Sequence, residues 1–363
     1  MNVQALGVAP AQSSKRGAIT EFGGALNVPG GIAIGPNQTL YFTQFGAGTI
    51  STITSGGTIK TVASGLATEP ANPGLSPTGP YAIAAGPSNT LWFSQFPSES
   101  AQGGLGDTTR HGVVTLFTGP PPDLGNIVRG PDGDFWYASQ ALGQASASIV
   151  KMTPAGVTTS YNNVTSTEPF GTLALPGAFS VGNDGNVWFL NDFQAQIGNI
   201  TTAGTVTLYA IPQLAAHRLL ANAAPASFDF PFGYAGTAPG PGGEWFTVAG
   251  EFNAPSGFIG RIAPSGKITE YGGNLASPGG IVEGPDGAMW FTESGVVSAT
   301  GNAGGGKIGR ITAGGKITEY GTNLATPTQI IVGPDGNLWF IENGQYVNYA
   351  LAGATGKIGR IIP

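Results

Sequence analysis

The chain has 363 residues, a formal net charge of −6, a pI of about 4.9 and only 9% charged residues. No basic block is present, which argues against a nucleic acid partner, and no run of about 18 apolar residues predicts a membrane span. The chain has no cysteine, which excludes disulfides, thiolate metal sites and cysteine nucleophiles.

The composition favours strands and turns. Hydrophobic residues make up 40% of the chain, so it is not the kind of sequence that stays disordered. It also contains 61 Gly and 28 Pro, many of them near predicted turns. The low charge leads us to expect an extracellular or periplasmic location. The N-terminal stretch MNVQALGVAPAQSSKRG lacks the basic and apolar regions of a signal peptide.

Seven copies of a unit made of Gly, a turn and an aromatic-rich strand follow one another, spaced roughly 45 to 60 residues apart. They are GPNQTLYFTQ at Gly35, GPSNTLWFSQ at Gly86, GPDGDFWYAS at Gly130, GNDGNVWFLN at Gly182, GPGGEWFTV at Gly240, GPDGAMWFTE at Gly284 and GPDGNLWFIE at Gly333. A hairpin such as GKIGRITAGGKITEY (Gly306–Tyr320) completes the unit. Four short antiparallel strands in each of seven repeats predict an all-β, seven-bladed β-propeller.

The two ends of the chain predict how the ring closes. The last repeat stops at GKIGRIIP (Gly356–Pro363), so its fourth strand is missing. The missing strand matches RGAITEFGG (Arg16–Gly24), which we expect to pair with the C-terminal blade and leave no open edge. The sequence therefore predicts a tail over 1–15 and one propeller domain over 16–363.

The Trp-Phe pairs and the Pro-Asp-Gly triplets have structural explanations. Pairs such as Trp290-Phe291 and Trp339-Phe340 fit strands buried on both faces between blades. Triplets such as the one at Asp286 fit tight turns, because Asp tolerates the turn and Gly adopts positive φ. We interpret both as packing and turn elements rather than as ligand or calcium sites.

Loop length differs between the two faces of the predicted ring. Connections between the first and second strands and between the third and fourth strands are short, and we call their side the short-turn face. Nearly all variation in length lies on the opposite, long-loop face, where functional loops are expected; neutral variation in tolerated loops is the alternative. The long connections are Leu66–Pro80, Phe96–His111, Ile211–Gly233, Ser294–Gly306 and Asn343–Gly356.

The last residue of each second strand is also predicted to end on the long-loop face, near the central channel. These residues are Gln44, Gln95, Ser139 or Gln140, Asn191, Val248, Glu293 and Glu342. Such a ring suits a polar neutral ligand or a weakly held cation, and polar residues lining a wet channel are the alternative. The predicted ligand contacts are Gln44, Tyr81, Gln95, Asn191, Phe232, Glu251, Glu293, Glu342 and Tyr346.

The units GPDGNLWFIE, GKIGRITAGGKITEY and FIGRIAPSGKITEY resemble the virginiamycin B lyase (streptogramin lyase) family. The resemblance implies a seven-bladed propeller that opens a cyclic depsipeptide by metal-assisted elimination. It further implies a histidine base in a Glu-Pro-His-Gly segment leading into the last blade, and a second histidine one blade earlier. The resemblance also implies a magnesium ion held by the Glu of the Glu-Pro-His-Gly segment and by a Glu at the end of the following second strand.

Most of these positions differ in this chain. Thr326 replaces the metal-binding acid, Thr328 replaces the base, and Gly279 stands in place of the second histidine. Only Glu342 matches the family pattern, at the position of the metal-binding Glu that ends the second strand. We therefore expect the fold without the streptogramin lyase chemistry.

Two functions stay open from the sequence. The first is a secreted bacterial propeller, expected to be a monomer, that binds a glycan or peptide on the long-loop face and requires no cofactor. The second is a metal-assisted lyase or hydrolase with a relocated base, using Glu293 and Glu342 as acid, base or ligands of Mg²⁺ or Ca²⁺, helped by His217. His111 is the less favoured of the two histidines.

Overall fold

The seven predicted blades are present in the computed structural model, each as a four-stranded antiparallel sheet. The first strands of successive blades contact one another around the ring, and that of blade 7 contacts that of blade 1. The structure describes residues 15–66, 79–95, 104–120, 122, 126–139, 147–161, 177–191, 195–212, 236–250, 255–298, 301–302, 305–344, 346–347, 350–351 and 355–363.

Blades 1 to 3 occupy the first part of the chain. Their strands, each blade listed from the channel outwards, are β2 (Pro29–Gly35), β3 (Thr39–Gln44), β4 (Thr49–Ile53) and β5 (Ile59–Ala63); β6 (Pro80–Ala85), β7 (Thr90–Gln95), β8 (Gly104–Thr109) and β9 (Val114–Thr118); β10 (Val128–Arg129), β11 (Phe135–Ser139), β12 (Ser148–Met152) and β13 (Thr158–Tyr161). Short 3₁₀ turns at Pro36–Gln38 and Pro87–Asn89 join the first two strands of blades 1 and 2.

Blades 4 to 7 follow the same order. Their strands are β14 (Gly177–Val181), β15 (Val187–Asn191), β16 (Gln196–Ile200) and β17 (Val206–Ala210); β18 (Thr237–Gly240), β19 (Gly243–Val248), β20 (Gly257–Ile262) and β21 (Ile268–Leu275); β22 (Pro278–Glu283), β23 (Met289–Glu293), β26 (Gly306–Ile311) and β27 (Ile317–Leu324); β28 (Pro327–Val332), β29 (Leu338–Glu342), β32 (Gly356–Ile361) and β1 (Ile19–Leu26). Among the described residues, no helix has the length and apolar character needed to cross a membrane.

The predicted closure of the ring is confirmed. β1 pairs antiparallel with β32, from Ile19 opposite Ile361 to Leu26 opposite Gly356. The ring of Phe22 stacks on Trp339 at 5.5 Å between centroids, which is the contact that Tyr320 makes with Trp290 in blade 6. The first strand of the chain therefore replaces the missing fourth strand of blade 7 in both pairing and packing.

Repeated packing explains the Trp-Phe and Gly signals. Trp339 and Phe340 are fully buried on opposite faces of β29, and Trp339 Nε1 donates to Asp335 in the Pro-Asp-Gly turn at 2.9 Å. A Cβ on Gly359 would stand 2.1 Å from the tip of Phe340, so the Gly of the repeated KIGRI strand leaves room for that ring. The packing and turn interpretation is confirmed.

One contact between blades departs from the repeat. The second strand carries a Trp in six blades and Tyr41 in blade 1, and the residue just before this aromatic residue is buried and apolar in every blade except blade 5: Leu40, Leu91, Phe135, Val187, Met289 and Leu338. In blade 5 this residue is Glu244, whose carboxyl group accepts a 2.5 Å hydrogen bond from Ser180 of blade 4. Burial raises the pKa of Glu244 to about 8, because the charged form is poorly solvated there.

Two expectations about the long connections are corrected. The sequence predicted a loop over Phe96–His111, but this segment contains strand β8, which pairs with β7 and β9. His111 therefore lies in the turn between the third and fourth strands. That turn belongs to the short-turn face, opposite to the face expected for a loop between second and third strands.

The long connections of blades 6 and 7 also contain strands that the sequence did not predict. The hairpin of β24 (Val297–Ser298) and β25 (Gly301–Asn302) follows β23, and the hairpin of β30 (Tyr346–Val347) and β31 (Ala350–Leu351) follows β29. Pairing of Gly301 with Val347 joins them into one four-stranded sheet. We call it the accessory sheet.

Candidate functional site

Thr328 and Glu342 lie at the same rim of blade 7. Pro327 pairs with Glu342 across β28 and β29, which puts both ends of these strands on the long-loop face. The Thr328 side chain is fully buried, and its hydroxyl donates to Asn343 Oδ1 at 3.3 Å. Its carbonyl accepts a 2.7 Å hydrogen bond from Thr292 in blade 6, so this residue connects two blades.

Glu342 is held in a group of three ionisable side chains. It is fully buried, and its Oε2 accepts a 2.6 Å hydrogen bond from the backbone N–H of Ala325. Lys357 faces it on β32 and donates to Glu21 on β1 at 3.0 Å. Burial, followed by the contact with Glu21, raises the pKa of Glu342 to about 7, so its protonated form can donate to the Glu21 carboxylate.

Blade 6 contains the same arrangement. The buried Glu293 accepts a 2.9 Å hydrogen bond from Ala276 N–H, and Lys307 donates to Glu319 at 2.7 Å. Burial raises the pKa of Glu293 to about 7, and the carboxyl group of Glu319 contributes in the same direction. Two successive blades therefore carry a Glu–Lys–Glu group at their rim.

Blade 5 changes two members of this group together and keeps the third, the fourth-strand glutamate, as Glu270. Val248 replaces the acid at the end of the second strand, and Phe258, its neighbour on the third strand, replaces the lysine. Both residues are buried. An apolar pair thus takes the place of a buried acid and the lysine that faces it, and avoids the cost of desolvating ionisable groups.

Hydrogen bonds also hold the predicted amide residues in place at the rim. Gln44 accepts a hydrogen bond from Asn27 N–H at 3.3 Å and donates to Thr49 at 3.2 Å. Gln95 Nε2 donates to the carbonyl of Leu66 at 2.8 Å. Each amide thus joins the end of its second strand to the chain segment that precedes the blade.

Asn191 and Tyr81 are buried as well. Asn191 Nδ2 lies 3.3 Å from Gln196 Oε1, its partner on the third strand of blade 4. Tyr81 lies on the first strand of blade 2, where its carbonyl accepts a 2.5 Å hydrogen bond from Thr43 of blade 1. Its ring meets Phe45 edge-on at 5.6 Å.

Sequence reasoning missed the turns that lead into blades 1, 6 and 7, although they carry a repeated signal. The pattern Leu-x-x-Pro occurs as LNVP, LASP and LATP, and the residue before each Pro has positive φ: Val28, Ser277 and Thr326. In all three blades, the side chain of the last residue of the second strand accepts a hydrogen bond from a backbone N–H that lies 17 residues earlier in the chain. The Gln or Glu thus stabilises an unfavourable backbone conformation at the rim.

Several predicted site residues lie outside the described residues, namely Gln140, His217, Phe232 and Glu251. Tyr346 is located in β30 through its backbone. His111 is exposed, and its Nε2 accepts a 3.0 Å hydrogen bond from Arg110. The structure therefore brings together the rim residues of blades 6 and 7 and separates His111 from them.

The rim offers few ligands for a metal ion. The described residues contain no group of three or more His, Asp or Glu side chains that could hold one. The carboxyl groups of Glu342 and Glu21 share Lys357, whose ammonium already supplies a positive charge. Ca²⁺ takes about six to eight oxygen ligands and Mg²⁺ about six, more than this pair provides.

Comparison with known proteins identifies close counterparts of the fold. The model of the virginiamycin B lyase family matches residues 71–228 and 233–360. A virginiamycin B lyase of Nocardia farcinica (strain IFM 10152) is 27% identical over 263 residues, covering 72% of this chain and 76% of that protein. A gluconolactonase-like propeller that is 10% identical, with a TM-score of 0.51, shares the fold alone.

Solved lyase structures superpose along nearly the whole chain. A streptogramin B lyase structure has 28% identity and a TM-score of 0.64, covering 94% of this chain and 96% of that one. A virginiamycin B lyase from Staphylococcus aureus has 26% identity and a TM-score of 0.63, covering 95% and 98%. With its seven blades, its closing strand and the match of the family model to most of its length, this chain belongs to the virginiamycin B lyase family.

Proposed function

We propose that this chain is a secreted, monomeric bacterial propeller that binds a polar ligand, a glycan or a peptide, on its long-loop face and does not open streptogramins. The environment of Thr328 is the observation that supports the absence of streptogramin opening. This residue stands where the family resemblance implies the base, and its buried hydroxyl donates to Asn343. A hydroxyl accepts a proton near neutral pH only with an activating base of its own.

The second histidine implied by the resemblance is replaced by Gly279, which offers a backbone carbonyl and no side chain. That carbonyl accepts a 2.6 Å hydrogen bond from Thr247 of blade 5. Both positions that would handle protons therefore serve contacts between neighbouring blades.

The accessory sheet supports ligand binding on the long-loop face. The connections that follow β23 in blade 6 and β29 in blade 7 pair with each other through Gly301 and Val347. Loops held by a rigid scaffold are where binding surfaces are usually built. The contacts we propose, from this face and its rim, are Gln44, Tyr81, Gln95, Asn191, Phe232, Glu251, Glu293, Glu342 and Tyr346.

A second candidate function has one observation in its favour. The pKa values of Glu293 and Glu342 are raised to about 7, mainly by burial, which suits a general acid or base at neutral pH. A metal-assisted lyase or hydrolase would use these two residues, with His217 as a further proton acceptor and a divalent cation as Lewis acid.

A glycan and peptide array tests the binding proposal. The wild type should bind one ligand class saturably, and the double variant Gln95→Ala/Glu342→Ala should bind it at least tenfold more weakly. Val157→Ala, on the short-turn face, is the matched control, and thermal melting verifies that each variant is folded. An array without any saturable ligand, or equal binding by the double variant, would overturn the proposal.

Enzymatic activity is tested in parallel. A cyclic depsipeptide of the streptogramin B type, followed by chromatography, should remain intact with the wild type. Turnover that requires a divalent cation, stops with EDTA and is lost in Glu342→Gln would instead support the second candidate function.

A further inference from the structure

The short-turn face carries a repeated unit made of an arginine, an aspartate and a tryptophan. In blade 6, Asp286 accepts from Arg310 Nε at 2.7 Å and from Trp290 Nε1 at 2.9 Å. The guanidinium group of Arg310 also lies over the Trp290 ring, 5.9 Å from its centroid. The aspartate side chain thus neutralises an arginine that is fixed against an aromatic ring.

Blade 7 repeats this unit. Asp335 accepts from Trp339 Nε1 at 2.9 Å and lies 3.7 Å from Arg360 Nη1. Arg360 in turn lies 5.5 Å from the centroids of both Trp339 and Phe22. In both blades the aspartate comes from the Pro-Asp-Gly turn between the first two strands.

Blade 5 keeps the arginine and lacks the aspartate. Trp245 and Tyr271 stack on each other at 5.5 Å, and the Arg261 guanidinium group contacts both rings, 5.3 Å and 5.8 Å from their centroids. The turn before Trp245 is one residue shorter than in blade 6 and contains Pro-Gly instead of Pro-Asp-Gly. Trp245 Nε1 donates to the carbonyl of Pro241 at 3.1 Å instead of to a carboxylate.

This change leaves one donor of Arg261 without a partner. Arg261 Nη1 donates to the carbonyl of Ala313 in blade 6 at 3.2 Å, whereas Nε is buried and has no hydrogen-bond partner among the described residues. The corresponding Nε of Arg310 is bound by Asp286. Gly242 lies against the guanidinium group, because a Cβ there would stand 3.3 Å from Nη1, and this turn contributes no carboxylate to Arg261.

We infer that Arg261 forms a binding site for an external carboxylate group, which takes the place that Asp286 holds beside Arg310. The guanidinium group is always charged and presents its donors in a fixed plane, which matches a carboxylate. Contact with the rings of Trp245 and Tyr271 restricts its orientation before binding. The site lies on the short-turn face and is independent of the function proposed above.

Nitrogen-15 NMR of the arginine side chains tests this inference. Sodium acetate is titrated into the wild-type protein at constant ionic strength, with sodium chloride as the balancing salt. The Nε–Hε signal of Arg261 should shift saturably, with a half-saturation concentration roughly in the millimolar range expected of a single charged contact. The Arg310 signal is the internal control and should not move, and Arg261→Lys assigns the responding signal.

A turn graft provides an independent check. Replacing Pro241–Gly243 by the four residues Pro-Asp-Gly-Ala supplies blade 5 with the aspartate of blade 6. The internal carboxylate should shift the Arg261 signal in the absence of acetate and abolish its response to acetate. A wild-type response that is absent, does not saturate, or is equal for Arg261 and Arg310 would overturn the inference, as would an unchanged acetate response in a folded graft.

Two peptide probes distinguish the possible sources of the carboxylate group. A tetrapeptide with a free C-terminus is compared with the same peptide ending in an amide, and both are compared with acetate. At least tenfold tighter binding of the free peptide than of acetate assigns the site to a polypeptide C-terminus. Equal binding of acetate and the free peptide assigns it to small carboxylates.

Discussion

Glu342 and Glu21 come from opposite ends of the chain and meet at the rim of blade 7, where the buried acid of Glu342 faces the carboxylate of Glu21. Lys357 lies beside both and donates to Glu21 at 3.0 Å. The pKa of Glu342 is raised to about 7, first by burial and then by Glu21. The strand that closes the ring is therefore linked to its blade by a titratable contact as well as by β-pairing.

The first prediction concerns this titratable contact. Folded Glu342 retains its proton above the ordinary glutamate pKa of 4.5, so the protein gains stability at low pH and loses it as pH rises through about 7. Glu342→Gln keeps an acceptor for Ala325 N–H and a donor for Glu21. It should reduce the pH dependence of unfolding by about 2 kcal/mol between pH 5 and pH 8, measured by chemical denaturation. A pH profile identical to that of the wild type would contradict the assignment.

The second prediction concerns Glu244. Its pKa is raised from 4.5 to about 8, so the stability present below pH 4.5 is lost as pH rises through about 8. Glu244→Leu restores the apolar residue of the repeat, as at Leu338. It should increase stability at pH 9 on the order of 3 kcal/mol, and by much less at pH 5. Equal effects at the two pH values would show that the carboxyl group is not responsible.

The third prediction tests the packing of the closing strand. Phe22→Ala removes the stacking on Trp339 and the contact with Arg360, and should cost about 2 to 4 kcal/mol in free energy of unfolding. Phe117→Ala is the matched control, because Phe117 stacks on Trp92 at 4.8 Å within a covalently continuous blade. A cost for Phe22→Ala below about 0.5 kcal/mol, the level of an ordinary surface substitution, would mean that β1 contributes little to the closed ring.

The fourth prediction concerns Glu293, which repeats the arrangement of Glu342 within one continuous blade. Glu293→Leu leaves Ala276 N–H without its acceptor at a turn where Ser277 has positive φ. The substitution should cost about 1 to 3 kcal/mol at pH 5, whereas Glu293→Gln should cost less than about 1 kcal/mol. Equal losses for the two variants would indicate that packing, not the hydrogen bond, is what Glu293 provides.

The fold was predictable from the sequence because its determinants are local and repeated. Each Gly, turn and Trp-Phe strand specifies a hairpin within about a dozen residues, and Arg16–Gly24 could be matched to the missing strand by similarity alone. The position of His111 was predicted wrongly because GLGDTT, which forms β8, is rich in Gly and polar residues and does not resemble the apolar third strands elsewhere.

The site was less predictable because its contacts join distant parts of the chain. The position of Glu342 followed from strand direction, whereas its partners come from two other strands (Glu21 on β1 and Lys357 on β32) and from the turn at Ala325. The accessory sheet was not predicted because its strands have two residues each and acquire their register only by pairing between blades 6 and 7. Neither relationship has a local sequence signature.

Shortening one hairpin tests ligand binding on the long-loop face most directly. Residues 345–355 are replaced by Ala-Gly, which gives blade 7 the length of the Phe45–Gly48 connection in blade 1 and removes β30 and β31. On the same glycan and peptide array, we expect at least tenfold weaker binding than the wild type, with the melting temperature changed by only a few degrees. Undiminished binding by this folded variant would contradict the proposed role of the long-loop face.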